Sequence, residues 1–189
     1  MMMELSIELL KDTQSLRNFR CGVKAMDCFI QDGLYLSVLH HYCQAYIVKL
    51  KKDIIALFAL SFDSLDLDEE DKDDLMTGIS VADTPLLTDN YKDIFLSKPH
   101  YPALEIAYLA VDEHYSHQGW GRIIIEAIAD KAQTQEMAGC QFLTVEALNI
   151  QNHNAVTFYS KCGFSPSEYP NPNKGTLRMF RTLYPVKEE

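Results

Sequence analysis

The chain has 189 residues, a formal charge of −10, 47% hydrophobic residues and 23% charged residues. That is enough to bury a sizeable core in one domain, and it excludes collagenous, low-complexity and fully disordered classes. Acidity repels phosphate at long range, so nucleic acid is disfavoured as a partner. The charge is uneven, because residues 63–74 (DSLDLDEEDKDD) carry eight acids and one lysine.

Five cysteines, Cys21, Cys28, Cys43, Cys140 and Cys162, form no CxxC pair. Residues 1–12 lack a basic segment followed by an apolar one, and no apolar run approaches the ~20 residues that span a bilayer. The expectation is a cytoplasmic protein with free thiols, no metal and no membrane association.

In chain order, 4–9 alternates as a strand, and Asp12 is a helix-cap candidate. Val23, Met26, Phe29, Ile30 and Leu34 share helical spacing in one or two helices ending near His41. Residues 44–50 and 54–62 form a hairpin about Lys51–Asp53. The acidic stretch opens an excursion reaching about residue 99, with one short helix at DEEDKDDLM. Its carboxylates lack the glycine and terminal glutamate of a calcium loop, so they read as a solvated face.

Residues 103–111 (ALEIAYLAV) read as a central strand, apolar on both faces. A loop follows, then a helix over 122–137, a strand over 141–148, a short helix ending at Gly163 and a last strand over 176–183. The whole predicts one α/β domain, 1–189: a mixed, mainly antiparallel twisted sheet with helices on both faces.

Between the central strand and its helix stands Gln118-Gly119-Trp120-Gly121-Arg122. Glycines permit close backbone approach, and helix-start N–H groups with the dipole behind them suit phosphate. The Lys-Ser/Thr of a Walker loop is absent, and Ile124 stands where a dinucleotide fingerprint needs a third glycine.

This pattern resembles the GNAT N-acetyltransferase family, whose loop reads Q/R-x-x-G-x-G/A. Gln118, Gly121 and Ile123 occupy its positions, Ile123 replacing a small residue. A second family pattern, N-x-x-A-x-x-F/L-Y-x-K-x-G-F, is complete at Asn152, Ala155, Phe158, Tyr159, Lys161, Gly163 and Phe164.

The resemblance implies an enzyme that takes acetyl from acetyl-CoA to a small-molecule or peptide amine in a ternary complex. The cofactor would lie where the 103–111 and 141–148 strands diverge. Backbone at Leu109, Ala110 and Val111 would bind the pantetheine arm, loop amides from His117, Gln118, Gly119, Trp120, Gly121, Arg122 and Ile123 the pyrophosphate, and Asn152 the arm again. Tyr159 would protonate the leaving thiolate. Glu105, an acid inside an apolar strand, is the candidate base, with Glu146 its competitor. Cys162 reads as a buried thiol rather than an acyl carrier.

Residues 19–30 (FRCGVKAMDCFI) resemble a toxin subgroup of this family that acetylates aminoacyl-tRNA. That gives a second reading, with tRNA as substrate and a homodimer or a small antitoxin as partner. The third reading is an acyl-CoA sensor without turnover.

Overall fold

The computed structural model describes residues 5–77, 87, 89–151, 153–167 and 175–183. Its elements are β1 (Leu5–Leu9), α1 (Lys24–Asp32), α2 (Leu34–Leu39), β2 (Gln44–Leu50), β3 (Asp53–Leu65), α3 (Glu69–Thr77), α4 (Asp89–Leu96) and β4 (Tyr101–Val111). They continue with α5 (Trp120–Thr134), β5 (Phe142–Ile150), β6 (His153–Asn154), α6 (Val156–Lys161), β7 (Ser165–Pro166) and β8 (Thr176–Thr182). Among the described residues the strands form one mixed, mainly antiparallel sheet, the expected α/β class.

The chain forms two compact units, Met1–Ser61 with Ile106–Glu126 and Phe62–Glu105 with Ala127–Glu189. In the first, the order is β1-β2-β3-β4. The β2–β3 hairpin turns at Lys51, whose φ of 57° is left-handed. Asp12 does cap, accepting from Gln14 N–H at 2.8 Å at the start of a 3-10 turn. The core packs Leu16, Phe19, Ile30 and Leu34 against Ala45, Ile47, Leu57, Ala59 and Ala110.

The FRCG segment earns its place by local chemistry. Gly22 adopts a φ of 80°, which L side chains resist. Asp27 Oδ1 accepts from Cys21 N–H at 2.8 Å, tying the segment to the first turn of α1. Arg20 then docks on the end of β4: its carbonyl accepts from Glu113 N–H at 2.8 Å and its N–H donates to Asp112 Oδ2 at 3.4 Å.

In the second unit β4 and β5 pair in parallel, Ala103 with Phe142, Leu104 with Leu143 and Glu105 with Thr144. β5 pairs antiparallel with β8 from Phe142↔Thr182 to Leu148↔Thr176. The core gathers Leu65, Leu67, Leu75, Phe95, Tyr101, Phe142 and Phe180. Most of the anticipated excursion is therefore ordered structure. β3 runs on through Leu65, three residues past the expected end, because Leu65 is fully buried. α3 forms as expected, with Asp68 Oδ1 accepting from Asp71 N–H at 2.8 Å. α4 was not anticipated; its Phe95 is fully buried and its carbonyl accepts from the Tyr101 hydroxyl at 2.7 Å.

Candidate active site

The residues expected to carry chemistry fall in both units. In the first, β4 delivers Leu109, Ala110 and Val111. Ala110 is buried in the core beneath α1 and α2, while Leu109 and Val111 are half-buried and alternate to the other face. Beyond β4 the loop is braced at each step. Asp112 N–H donates to Ile55 O at 2.9 Å, Tyr115 N–H to Asp112 O at 2.9 Å, and the Tyr115 hydroxyl to Asp53 at 3.1 Å. Gln118 Nε2 donates to His114 O at 3.1 Å, so this side chain of the family pattern shapes the loop.

His117 and Gly119 are both left-handed, with φ of 59° and 87°. They turn the chain into α5, which begins at Trp120, two residues earlier than its periodicity suggests. Ile123 N–H donates to Gly119 O at 3.2 Å. Helix geometry leaves the N–H groups of Trp120, Gly121 and Arg122 with no intrahelical acceptor. Gln118, Gly119 and Arg122 are exposed, and Ile123 is 48% exposed, so its branched side chain stands outside the turn. The Trp120 indole N–H is buried and has no acceptor among the described residues. Such a braced turn, with helix-start amides that lack intrahelical acceptors, can take an anion.

One pair beside this loop was missed by sequence reading. Asp112 is buried and accepts from the His114 N–H at 3.0 Å and from its ring Nδ1 at 2.9 Å. Burial opposes the Asp112 charge, but these bonds and that from Arg20 hold its carboxyl below the usual range. The same bond raises the exposed His114 imidazole above its ordinary value.

In the second unit Tyr159 lies on α6, inside the second family pattern. Asn154 Oδ1 accepts from Val156 N–H at 2.9 Å at the helix start. Gly163, with φ of 82°, closes it, and Phe164 N–H donates to Tyr159 O at 3.1 Å. Arg181 Nη1 donates to the Cys162 carbonyl at 3.1 Å. Tyr159 is 7% exposed, with Phe158 and Phe164 rings set edge-on at 5.1 and 5.4 Å. Burial, then Cys162, pushes its phenol well above the usual range. Asn152 lies outside the described residues. Cys162 is a buried thiol that takes part in no disulfide.

Glu105 is half-buried and forms, with Thr144, the last parallel register pair. Glu146 bonds to β8. Thr176 Oγ1 donates to its Oε2 at 2.8 Å, and Arg178 Nη1 lies 3.5 Å from its Oε1. Arg178 Nη2 also holds Asp63 at 2.7 Å, and the buried Thr144 hydroxyl donates to the same carboxylate. Asp63 thus belongs to a polar network joining β3, β5 and β8.

Among the described residues no group of His, Cys, Asp or Glu is arranged to hold a metal ion, and no helix is long and apolar enough to cross a membrane.

Residues 87–166 match the family model described as the acetyltransferase (GNAT) domain. A search of curated proteins gave no match. Among solved structures, a KacT mutant superposes with a TM-score of 0.66 at 21% identity, over 95% of each chain. The toxin AtaT bound to the C-terminus of the antitoxin AtaR gives 0.64 at 21% identity, over 95% of this chain and 92% of that one. AtaT complexed with acetyl-methionyl-tRNAfMet gives 0.62 at 22% identity, over 93% and 94%. At such identities these likenesses establish the fold, and the matched model falls within it at residues 87–166: the chain has the fold of the GNAT acetyltransferases.

Proposed function

We propose that the whole chain acts as one acetyltransferase domain, moving acetyl from acetyl-CoA to a primary amine by direct attack. The observation that carries this is the braced turn at His117–Arg122, with its two left-handed residues at the start of a 15-residue helix whose first amides have no intrahelical acceptor. It suits a pyrophosphate, with Arg122 adding charge. Leu109 and Val111 would offer backbone groups to the pantetheine arm and polarise the thioester carbonyl. Glu105 would accept the amine proton, and Tyr159 would give its own to the departing sulfur. Asn152 is assigned to the arm on the family pattern alone.

An assay of free-thiol release from acetyl-CoA, with a panel of amines, tests the reading. Amine-dependent release supports it; acetyl-CoA binding with no release for any amine would make the chain a sensor.

A second acceptor, the amine of an aminoacyl-tRNA, is favoured by one observation. The unit bearing the turn holds nine acids against eight Lys and Arg, so the chain's acidity lies mostly elsewhere. Charged tRNA belongs in the same panel. With it would come the cytoplasm as location, and a second copy or a small antitoxin as partner.

A further inference from the structure

The first unit contains an aromatic pair that the proposed chemistry has not used. Phe29 on α1 and Tyr108 on β4 stack with ring centroids 4.1 Å apart at 23°. Neither is sealed in the core. Both are half-buried, as is Met26 one turn back on α1, and all three pack over the cluster beneath α1 and α2.

Phe29 is held from behind as well. A Cβ built on Gly33 would stand 2.7 Å from Phe29 Cδ2 and 2.8 Å from Cε2. The missing side chain of Gly33 is therefore the space the ring occupies. The phenyl is clamped between the α1–α2 junction and the Tyr108 ring, a rigid apolar surface with little side-chain entropy left to lose on binding.

Its place on β4 gives it meaning. Tyr108 precedes Leu109, about 3.3 Å along a strand. Ala110, on the same face as Tyr108, is buried under α1 and α2, so that face looks toward these helices. An amine reaching a carbonyl held at Leu109–Val111 from that side would meet the partly buried Tyr108, Phe29 and Met26. Asp27, the acid beside Met26, is bonded to Cys21 N–H. The Cys21 thiol, pushed up to about 11 chiefly by burial, offers no thiolate there.

We propose that Phe29 and Tyr108, with Met26, form the acceptor's side-chain subsite, so that the enzyme selects primary amines adjacent to an apolar aliphatic or aromatic side chain. This rests on the acetyl-transfer reading above, and it opposes a polyamine acceptor.

The test compares glycinamide, leucinamide, phenylalaninamide and spermidine by thiol release. It adds calorimetry of N-acetylphenylalaninamide and N-acetylglycinamide in the presence of CoA, which needs no turnover. The full chain should favour leucinamide or phenylalaninamide over glycinamide in kcat/KM by about 10–200-fold. Phe29→Ala and Tyr108→Ala should pull that ratio toward one, and Gly33→Ala, by displacing the ring, should do so partly. Retained acetyl-CoA binding certifies each variant as folded, and Phe29→Leu, which keeps apolar volume, should restore most of the preference.

Transfer without side-chain preference, preference for spermidine, or folded variants with an unchanged ratio would overturn the subsite while leaving acetyl transfer intact. If no amine reacts, binding of N-acetylphenylalaninamide that weakens in Phe29→Ala keeps the subsite and sinks the transfer reading; equal or no binding of both amides sinks the subsite too.

Discussion

The two compact units divide the chain's charge unequally. The unit of Met1–Ser61 and Ile106–Glu126 has nine acids, eight Lys and Arg and four of the six histidines. The unit of Phe62–Glu105 and Ala127–Glu189 has eighteen acids and nine bases. The first is nearly neutral and carries the His117–Arg122 turn; the second carries almost all of the net charge, with Glu105 and Tyr159. A net charge of −10 is therefore a poor guide to what the first unit can meet, since fields are screened over about 8 Å in physiological salt. The acidic stretch itself is partly committed: Asp63 to Arg178 and Thr144, Asp66 to His100, Asp68 to the start of α3.

If the units split the labour as proposed, substitutions should separate by unit. The largest effect is expected from Tyr159→Phe. It removes one hydroxyl, and turnover should fall about 10²–10⁴-fold with acetyl-CoA affinity nearly unchanged. Unaltered turnover in steady-state kinetics would return Tyr159 to a packing role. Gly121→Val should do the reverse, abolishing acetyl-CoA binding in calorimetry while circular dichroism reports an intact fold. Equal affinity in that variant would remove the turn from the cofactor site.

Two smaller effects concern what holds each unit. Arg178→Met leaves Asp63 and Glu146 facing each other without their cation. Both carboxylates are partly exposed, which lessens the cost, so about 2 kcal/mol of stability should go, measured by urea unfolding. Adding Asp63→Asn should recover part of that loss; strict additivity would mean the contact contributes nothing. In the first unit Asp27→Ala should cost about 1 kcal/mol through the lost bond to Cys21 N–H.

The smallest is a titration. Asp112 raises the His114 pKa. A group raised on folding adds stability below its unfolded pKa and loses it as pH climbs through the folded value. The depressed Asp112 carboxyl adds stability above its own unfolded value and loses it as pH falls through the folded one. In Asp112→Asn the His114 midpoint, followed by NMR, should drop toward its ordinary ~6.5; no movement would mean the pair is not formed in solution.

What the sequence disclosed follows from range. The turn at Gln118–Arg122 and the pattern ending at Gly163–Phe164 are local constraints, each anchored by a glycine whose left-handed backbone the chain needs at that point. The hairpin and the strand at Tyr101–Val111 were legible from alternation and apolar runs. Arg178–Asp63 was not, because its partners are 115 residues apart and each reads as an ordinary surface charge. Phe29–Tyr108 was hidden likewise: at helical spacing Phe29 looks like core, and only the third dimension sets a second ring against it. α4 escaped because one face over eight residues is too short a period to stand out.

Strands β3 and β4 and helix α5 each begin in one unit and end in the other. The boundary at Ser61/Phe62 falls inside a strand, and so does that at Glu105/Ile106. A gene cut at either place would yield two polypeptides that each display a severed strand, with unpaired backbone donors and acceptors inviting aggregation. The two halves of the proposed chemistry are thus joined through two strands and a helix that neither half holds whole.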